Sequence, residues 1–331
     1  MIDKDKLNLS VKAPTPKEKP KIDTLRQSAI FIEQTLLNKP IEESAHAEKY
    51  FKINANLIER GKEAIKKVGI TLTTPQHKAI NVALTLLNRQ SQTVNPKKND
   101  YYTGDAGDVT PDKYGRRYAT LSFSLYEATQ MFYNERKVNT VKMDYLESIY
   151  DELANTPNAM EYTVQTKNQQ GQKINHDISE VASLLTRIES VNQTTRIRTL
   201  SYEFNKIITA NIVSKYITKP IDANKRIEDA YNSERPHELA HNLSNYLLLL
   251  ISTKNPILKR EIYWSNLLLK IAPNHRKDEK GNFIREDKLK KNVIRALNGL
   301  KNDGQIKEFK EIDGATGEKK LQIELIKDWI K

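Results

Sequence analysis

The sequence predicts a mainly helical α+β fold in which one arrangement, helices followed by a β-hairpin, occurs twice. The clearest signal is a helix over residues 285–303, where apolar residues recur at helical spacing. Gly304 is typical of a helix end. Two alternating strands follow, Ile306–Ile312 and Lys320–Ile326, around a glycine-containing turn at 313–317. A basic helix followed directly by a basic hairpin is typical of a winged-helix domain, whose helix enters the major groove of DNA.

The first copy of this arrangement is predicted between residues 69 and 219. Thr74 and Pro75 favour a helix start, and Ser124 with Glu127 forms a capping box for a short second helix. The elements predicted next are a helix at Asn139–Ala154, strands at Met160–Lys167, from Lys173 into Val181–Ile188 and at Thr195–Leu200, and a helix-like segment at Asn205–Tyr216. Before the basic helix, the second copy has predicted elements at His237–Ser252, Leu258–Tyr263 and Ser265–Ile271. The shared order predicts an old duplication.

These elements divide the chain into four predicted segments. They are a disordered tail at 1–22, an N-terminal helical extension at 23–68, a first winged-helix domain at 69–219 and a second winged-helix, DNA-binding domain at 220–331. Lysines among Pro14, Pro16 and Pro20 predict the tail, and helical spacing of apolar residues predicts the extension. The polar segment from Asn88 to Tyr118 is predicted to be a long exposed loop.

Composition narrows the class of protein. The net charge is +12, and residues 254–331 carry 19 Lys and Arg against 12 Asp and Glu. Clustered positive charge favours a nucleic-acid partner, although a lysine-rich solubilising surface gives the same count. The absence of cysteine excludes disulfides, cysteine zinc sites and thiol nucleophiles. No apolar stretch approaches the roughly 20 residues that span a bilayer, and an apolar signal core is missing at the start. We therefore expect a cytoplasmic protein without membrane contact.

The predicted DNA contacts divide by chemistry. Opposite the apolar side of the 285–303 helix lie Lys288, Lys291, Asn292 and Arg295. Arginine and asparagine pair bidentately with guanine and adenine edges, so this face predicts sequence recognition; the alternative is an ordinary solvated face. The hairpin residues expected to neutralise phosphates are Lys307, Lys310, Lys319 and Lys320. The weaker set in the first domain is Arg136, Lys137, Lys142, Lys167 and Lys173. The second half of the helix there is acidic, which equally favours a protein–protein role.

One motif favours a different class of protein. His237, Glu238 and His241 match H-E-x-x-H, in which two histidines one turn apart share a zinc ion and the glutamate acts as a base, with Glu261 as a candidate third ligand. Pro236 directly precedes the motif and places both histidines in the first helical turns. The alternative is therefore an exposed helix start whose glutamate complements the helix dipole. A phosphate-binding loop is also missing. We expect a protein that is not an enzyme and that uses no cofactor or metal ion.

Four segments resemble the initiator (Rep) proteins of theta-replicating plasmids, which contain two winged-helix domains. SFSLYEATQMFY with VKMDYLESIYDEL resembles the first helix-turn-helix of that family, and DISEVASLLTRIES with TRIRTLSYEF resembles the strands that close its first domain. AHNLSNYLLLLIS resembles the long helix that opens the second domain, and LKKNVIRALNGLKNDGQIKEF resembles the second recognition helix and its wing. The resemblance covers roughly residues 69–326.

The resemblance implies a sequence-specific double-stranded DNA-binding protein that initiates plasmid replication. Such a protein binds directly repeated origin sites, opens an adjacent A·T-rich segment and recruits the host initiator and the replicative helicase. The resemblance also implies monomers that bind the origin, and homodimers, formed through the first winged-helix domain, that act as repressors or copy-number brakes. The sequence leaves two alternatives open: a winged-helix transcriptional repressor of a mobile element, and a zinc-dependent hydrolase that uses His237, Glu238 and His241.

Overall fold

The computed structural model describes residues 24–94, 120–167, 170, 172–191, 193–194, 198–209, 216–220, 222–231, 238–252, 256–272, 275–315 and 317–327. The predicted tail and most of the predicted loop, residues 95–119, lie outside this part of the chain. Within it, the fold is mixed α and β, with several small sheets and more residues in helices than in strands. None of the described helices is long and apolar enough to cross a membrane.

The first part of the chain packs around one large hydrophobic core and a small separate cluster of Ile41, Tyr50, Val68 and Ala159. Its elements are β1 (Thr24–Ser28), α1 (Ala29–Thr35), β2 (Lys39–Pro40), a 3-10 turn (Ile41–Glu43), α2 (Ala47–Glu59), β3 (Lys67–Val68), α3 (Thr74–Val94), β4 (Thr120–Ser122), α4 (Leu125–Tyr133), α5 (Thr140–Asn155), β5 (Asn158–Lys167), β6 (Lys173–Ala182), β7 (Leu185–Val191), β8 (Arg198–Phe204), α6 (Lys206–Thr209) and β9 (Tyr216–Pro220). The strands form sheets in the orders β1-β9, β2-β3-β5-β6 and β4-β8-β7. Helices α3, α4 and α5 contact one another, α3 also contacts β1 and β4, and α5 contacts β7.

The second part of the chain forms a separate core from fewer elements. They are α7 (Ala223–Ala230), α8 (Glu238–Ile251), β10 (Lys259–Tyr263), α9 (Trp264–Ile271), α10 (Glu286–Asn302), β11 (Ile306–Asp313) and β12 (Lys319–Leu325). The order α8, β10, α9, α10 and a hairpin repeats the order α3, β4, α4, α5 and the β5–β6 hairpin of the first part. Antiparallel pairing places β12 in the centre of the C-terminal sheet, in the order β10-β12-β11.

Local sequence accounts for two helix starts in the first part. The side chain of Ser124 accepts a hydrogen bond from the N–H of Glu127 at the start of α4. The Asn139 side chain accepts one from the N–H of Lys142, at 3.0 Å, at the start of α5. Both predicted caps are confirmed, because a polar side chain satisfies an N–H group that has no partner inside the helix.

The N-terminal extension differs from its prediction. Thr24–Ser28, expected to be helical, is strand β1 and pairs antiparallel with β9. Of the helix expected at Asn205–Tyr216, the structure describes α6 at Lys206–Thr209; residues 210–215 lie outside the described part, and Tyr216 begins β9. A strand pair between such distant segments forms through long-range contacts and leaves no local periodic signal.

The same extension is integrated into the body of the protein. All of α1 except Glu33 is buried, and Leu36, directly after it, packs against both hydrophobic cores. Helix α2 docks on the β5–β6 strands through buried Tyr50, whose hydroxyl lies 3.2 Å from Glu161 Oε1 and 3.0 Å from Ser179 Oγ. Helix α1 of the extension therefore contributes to the large core, and α2 packs through a small cluster of its own.

Four further predictions require correction. The cap of α3 is Thr73, whose hydroxyl and N–H bond to Gln76, and α3 continues through Val94 into the predicted loop. The polar segment after Pro220, for which no element is predicted from the sequence, contains helix α7. The strand expected to run from Lys173 through Ile188 is broken after Ala182, where buried Leu184 separates β6 from β7. The strand expected at Thr195–Leu200 is observed from Arg198 to Phe204, and residues 195–197 lie outside the described part.

A buried polar cluster lies where α3, α8 and β9 meet. The rings of His77 and His241 stack with centroids 5.8 Å apart, and both residues are buried. Burial, followed by the charges of Lys219 and Lys78, lowers the pKa of His241 to about 3; burial, His241 and Lys219 also lower the pKa of His77. Burial lowers the pKa of Lys219 to about 7. Two contacts tie α3 to α7 beside the cluster, Lys78 Nζ to Glu228 Oε1 at 2.9 Å and Asn81 Nδ2 to Asn224 Oδ1 at 3.0 Å.

The lowered pKa values of Lys219, His77 and His241 make the free energy of unfolding rise with pH. Between pH 7 and the ordinary value of 10.5, an unfolded chain holds a proton on Lys219 that the folded chain does not, so stability rises with pH in that window. The two buried histidines also make stability rise with pH, but in a lower range. Below pH 6.5 the unfolded chain protonates them while the folded chain does not, so stability falls as the pH drops below that value.

Replacing Lys219 with Met should remove the buried amine while keeping its packing. We expect Lys219→Met to raise the free energy of unfolding at pH 7, because no amine then has to lose its charge on folding. Between pH 7 and 9.5 this advantage should shrink by up to ~3 kcal/mol, at about 1.4 kcal/mol per pKa unit. Urea unfolding at several pH values measures it. Lys225→Met, which changes an exposed lysine of α7, should give a curve parallel to that of the parent; a pH-independent advantage for Lys219→Met would contradict the prediction.

Candidate nucleic-acid interface

Helix α10 has one buried side and one exposed cationic side. The buried side consists of the four predicted apolar residues Leu289, Val293, Leu297 and Leu300, together with Ala296. They lie in the second core, where α10 contacts α8. On the outer side Lys288, Lys291 and Arg295 are exposed, while Asn292 is half-buried. Within the described part of the chain, neither Lys288 nor Lys291 forms an ion pair. The helix therefore presents both lysines to solvent without a carboxylate partner.

The exposed row continues beyond the predicted residues. Asn298 and Asn302 are also exposed and follow Arg295 at the same three- and four-residue spacing. One exposed stripe runs along α10 and is called here the α10 row. It consists of Lys288, Lys291, Arg295, Asn298 and Asn302. Sequence reasoning missed both asparagines, although the period that placed Arg295 outward also places them outward.

The loop before α10 adds cations that sequence reasoning did not select. Four exposed residues lie there: Arg276, Lys277, Lys280 and Arg285. The loop is held in shape by Asp278, which accepts hydrogen bonds from the N–H groups of Lys280 (3.0 Å) and Asn282 (2.8 Å). The bond from the Asn282 backbone is the main reason that the Asp278 pKa is lowered. Residues 276–301 carry nine Lys and Arg against four Asp and Glu, so the positive charge of this part is concentrated on the loop and α10.

Arg295 is held by an aromatic neighbour. Its guanidinium lies 4.9 Å from the ring centroid of Tyr231, the residue that follows α7. Helix α7 is in turn linked to the end of α10 by Arg226, whose Nη1 lies 3.6 Å from Asp303 Oδ1. Tyr231 is buried, and burial raises its pKa to about 12. Stacking on a neutral ring restricts the orientation of the arginine side chain.

The hairpin is not basic, contrary to the prediction. Residues 306–325 hold four lysines against five acidic residues. Three of the lysines lie beside carboxylates: Lys307 with Glu324 (2.7 Å), Lys319 with Glu311 (3.8 Å) and Lys320 with Glu261 (4.0 Å). Lys320 also lies 4.7 Å from the Tyr263 ring centroid, and the hydrogen bond to Glu324 raises the pKa of Lys307. Lys310 is exposed. Because cross-strand pairing already engages most of these lysines, the hairpin contributes less free positive charge than its lysine count suggests.

The hairpin has a fixed position against the start of α9. Glu318 Oε1 accepts a hydrogen bond from the N–H of Ser265 (2.9 Å), and Glu311 Oε1 accepts one from Trp264 Nε1 (2.8 Å). At Gly314 a Cβ atom would lie 2.3 Å from the carbonyl oxygen of Glu318 and 2.5 Å from Tyr263 Cε1. Only glycine permits this approach. These contacts hold the hairpin against the end of β10 and the start of α9.

The first part of the chain offers fewer available cations. Arg136 and Lys137 are exposed in the turn before α5. Lys142, by contrast, lies 2.5 Å from Glu135 and 4.8 Å from the Tyr133 ring centroid. Lys167 and Lys173 are paired at the end of the β5–β6 hairpin, and their side chains lie outside what the structure describes.

The outer side of α5 does not resemble that of α10. Val141 and Tyr145 are exposed there, at 75 % and 42 %. Two of the acidic residues of α5 are engaged, because Arg187 of β7 bonds to both Glu147 (2.7 Å) and Asp151. This arginine offsets part of the acidity of α5, whereas Asp144 and Glu152 are exposed. Its exposed apolar residues keep the protein–protein alternative open for this helix.

The H-E-x-x-H motif lies in a different environment from the one expected. His237 lies outside the described part of the chain. His241 is buried against His77, which differs from the exposed helix start that we expected, and Glu238 lies 3.8 Å from His275 Nδ1. Glu261 accepts a hydrogen bond from Gln322 across the C-terminal sheet. Among the described residues no group of three or more His, Cys, Asp or Glu side chains is arranged to hold a metal ion.

Comparison of the chain with protein-family models, with curated proteins and with solved structures found no match. The functional assignment therefore depends on the α10 row and on the resemblance carried by the sequence motifs.

Adding a methyl group at the hairpin turn should test how firmly the hairpin is held. We expect Gly314→Ala to lower the free energy of unfolding by roughly 1–3 kcal/mol, because the new Cβ overlaps a backbone carbonyl and the Tyr263 ring. Urea unfolding of the full chain measures the change. The control Ala315→Ser alters an exposed neighbour and should stay within about 0.5 kcal/mol of the parent. Equal stability of the Gly314→Ala variant would show that the turn is not tightly packed.

Proposed function

We propose that this chain is a sequence-specific double-stranded DNA-binding protein that contacts DNA through α10. The observation that carries the proposal is the α10 row, in which exposed Lys288, Lys291 and Arg295 stand opposite a fully buried apolar side. The major groove, about 12 Å wide, admits one α-helix. The order helix, strand, helix, helix and hairpin is also what a winged-helix domain requires, which supports placing α10 in the groove.

The chemistry of the contacts follows from the neighbours of each side chain. Arg295 can form two parallel hydrogen bonds with a guanine edge, and its stacking on Tyr231 reduces the entropy lost on binding. Lys288, Lys291 and the loop cations Arg276 and Lys280 neutralise phosphates and supply affinity without sequence choice. The hairpin lysines take a smaller part, because a contact with phosphate must first replace a contact with a carboxylate.

The finer proposal is that the protein initiates plasmid replication by binding origin repeats and recruiting host replication proteins. It is supported by the resemblance of four segments to plasmid initiators and by the two copies of one element order. In that role Arg136 and Lys137, exposed before α5, would touch the backbone in the first repeat of the arrangement. Linking two weak modules raises affinity, because the second binds at a high effective concentration.

Footprinting on DNA that flanks the gene tests the DNA-binding proposal directly. We expect protection of repeated sites upstream of the gene, and no protection would overturn the proposal. A plasmid that carries only the gene and those repeats then separates the two candidate roles. Autonomous replication supports an initiator, whereas protection without replication supports the alternative, a repressor of a mobile element.

Removing the two unpaired lysines of α10 should lower affinity through the salt-dependent term. For Lys288→Ala with Lys291→Ala we expect the slope of log K against log salt to fall in magnitude by about 2, close to 0.9 per lost phosphate contact. Fluorescence anisotropy at several salt concentrations measures the slope. The control Lys52→Ala with Lys62→Ala removes the same charge from exposed positions in and just after α2 and should leave the slope almost unchanged. Equal losses in both pairs would indicate a general charge effect.

Changing Arg295 should affect sequence discrimination more than affinity for arbitrary DNA. We expect Arg295→Ala to reduce the preference for the protected site over a scrambled one by about tenfold, within the 1–3 kcal/mol typical of a bidentate pair. Arg295→Lys keeps the charge but not the paired donors, so it should lose most of the preference and retain the salt slope. Competition binding with both DNAs measures the effect. A uniform loss on both would reassign Arg295 to phosphate contact.

A further inference from the structure

A groove lies beside the outer edge of strand β10, away from the hairpin. Its volume is about 380 Å³, and its walls include Leu36 after α1, Arg260, Glu261 and Ile262 of β10, and Leu269 and Lys270 of α9. It therefore lies where the N-terminal extension meets the second core. None of these residues belongs to the α10 row.

The strand that forms one wall has an unpaired edge. In the order β10-β12-β11, β10 is an edge strand, and no other strand of the described chain pairs with its free side. The N–H of Leu325 donates to the carbonyl of Leu258 at 2.7 Å. Because antiparallel pairs alternate, the N–H and C=O groups of Glu261 point away from β12, towards the free side. An edge with free donors and acceptors is a template for another strand.

The side chains around this edge define what would bind. Leu269 is 44 % exposed, and Leu258, next to β10, is 38 % exposed, so apolar surface borders the strand. Arg260 Nε is buried and has no hydrogen-bond acceptor within the described part of the chain. Lys270 adds a second cation to the wall. The Glu261 carboxylate accepts a bond from Gln322 at 2.8 Å and lies 4.0 Å from Lys320 Nζ, so its charge is offset from the β12 side.

We propose that this groove binds an extended peptide segment of a partner protein, with both apolar and acidic residues, as a strand added to β10. The peptide backbone would pair with the free groups of Glu261, as strand addition at a sheet edge requires. Alternate side chains of an added strand point to opposite faces. Arg260 shares a face of β10 with buried Ile262, and Leu36 packs against the same core. Among the peptide side chains on this face, apolar ones would meet Leu36 and Leu269, and acidic ones would meet Arg260 and Lys270.

Other occupants fit the groove less well. In a symmetric pair of β10 strands from two copies of the chain, centred on Glu261, that residue would lie opposite itself, and like charges directly opposite are unfavourable. The segment 1–22 is rich in lysine and proline. It would therefore bring positive charge towards Arg260 and Lys270 and would interrupt strand pairing.

The location leaves the candidate DNA-binding surface free. Strands β10 and β11 lie at opposite edges of the C-terminal sheet, so a strand added to β10 does not touch the β11 edge of the hairpin. Leu36, on the groove wall, packs against both hydrophobic cores. A bound peptide would thus contact the junction between the two parts of the chain, and the peptide site does not depend on the DNA-binding proposal.

Selection from a displayed library of random heptapeptides, with the full chain and without DNA, tests the proposal. We expect enrichment of peptides that combine apolar and acidic residues. The enriched peptide, labelled with fluorescein, is then titrated by anisotropy against the parent and three variants. Glu261→Pro removes the outward N–H, a change that an edge strand tolerates, and should weaken binding at least tenfold. Leu269→Asp should weaken it similarly, and Glu261→Gln, which keeps the backbone donor, should change it less than twofold.

Hydrogen exchange keeps the test decisive if Glu261→Pro fails to fold. In the parent protein the enriched peptide should slow amide exchange within residues 257–263 more than within β11. Three results would overturn the proposal: no enrichment, selection of basic peptides, or protection elsewhere. Self-association of the parent that Glu261→Pro abolishes would assign the edge to a second copy of the chain instead. Because no DNA is present, failure here is distinguishable from failure of the DNA-binding proposal.

Discussion

The burial of one side of α10 in the second core determines which residues this protein can offer to DNA. Leu289, Val293 and Leu297 occupy one side of a helix with 3.6 residues per turn, so Lys288, Lys291 and Arg295 must face outward. Each buried aliphatic side chain contributes about 1.5–3 kcal/mol relative to exposure. Rotating the helix to hide the cations would expose several such side chains at once. The core therefore orients the α10 row, and the row needs no additional device to remain exposed.

The two parts of the chain are joined by more than a connecting segment. Helix α8 of the second part contacts α1, α3 and β9 of the first, and Leu36 touches both cores. The stacked His77 and His241 rings lie at the same junction, where burial and neighbouring cations disfavour protonation. The proposed peptide groove begins at Leu36. A ligand there would contact the residue through which the N-terminal extension meets both parts of the protein.

Net charge alone does not identify a DNA-binding surface, because neighbours decide which cations are available. The hairpin carries four lysines, yet Lys307, Lys319 and Lys320 each lie beside a glutamate. The acidity of α5 is likewise offset in part by Arg187. On α10, Lys288 and Lys291 have no such partner within the described residues. Because of this local ion pairing, α10 and the loop before it are better candidates for DNA contact than the hairpin.

The sequence by itself determined the elements whose signals are local. Apolar spacing located α10, and Ser124 and Asn139 marked the starts of α4 and α5 within a residue, because caps and amphipathic periods act over a few residues. Only the tertiary structure decided the β1–β9 pair, the docking of α1, the ion pairs of the hairpin and the free edge of β10. Each of these depends on contacts between residues far apart in the chain, and a local pattern does not encode which distant partner a strand or a charge will meet.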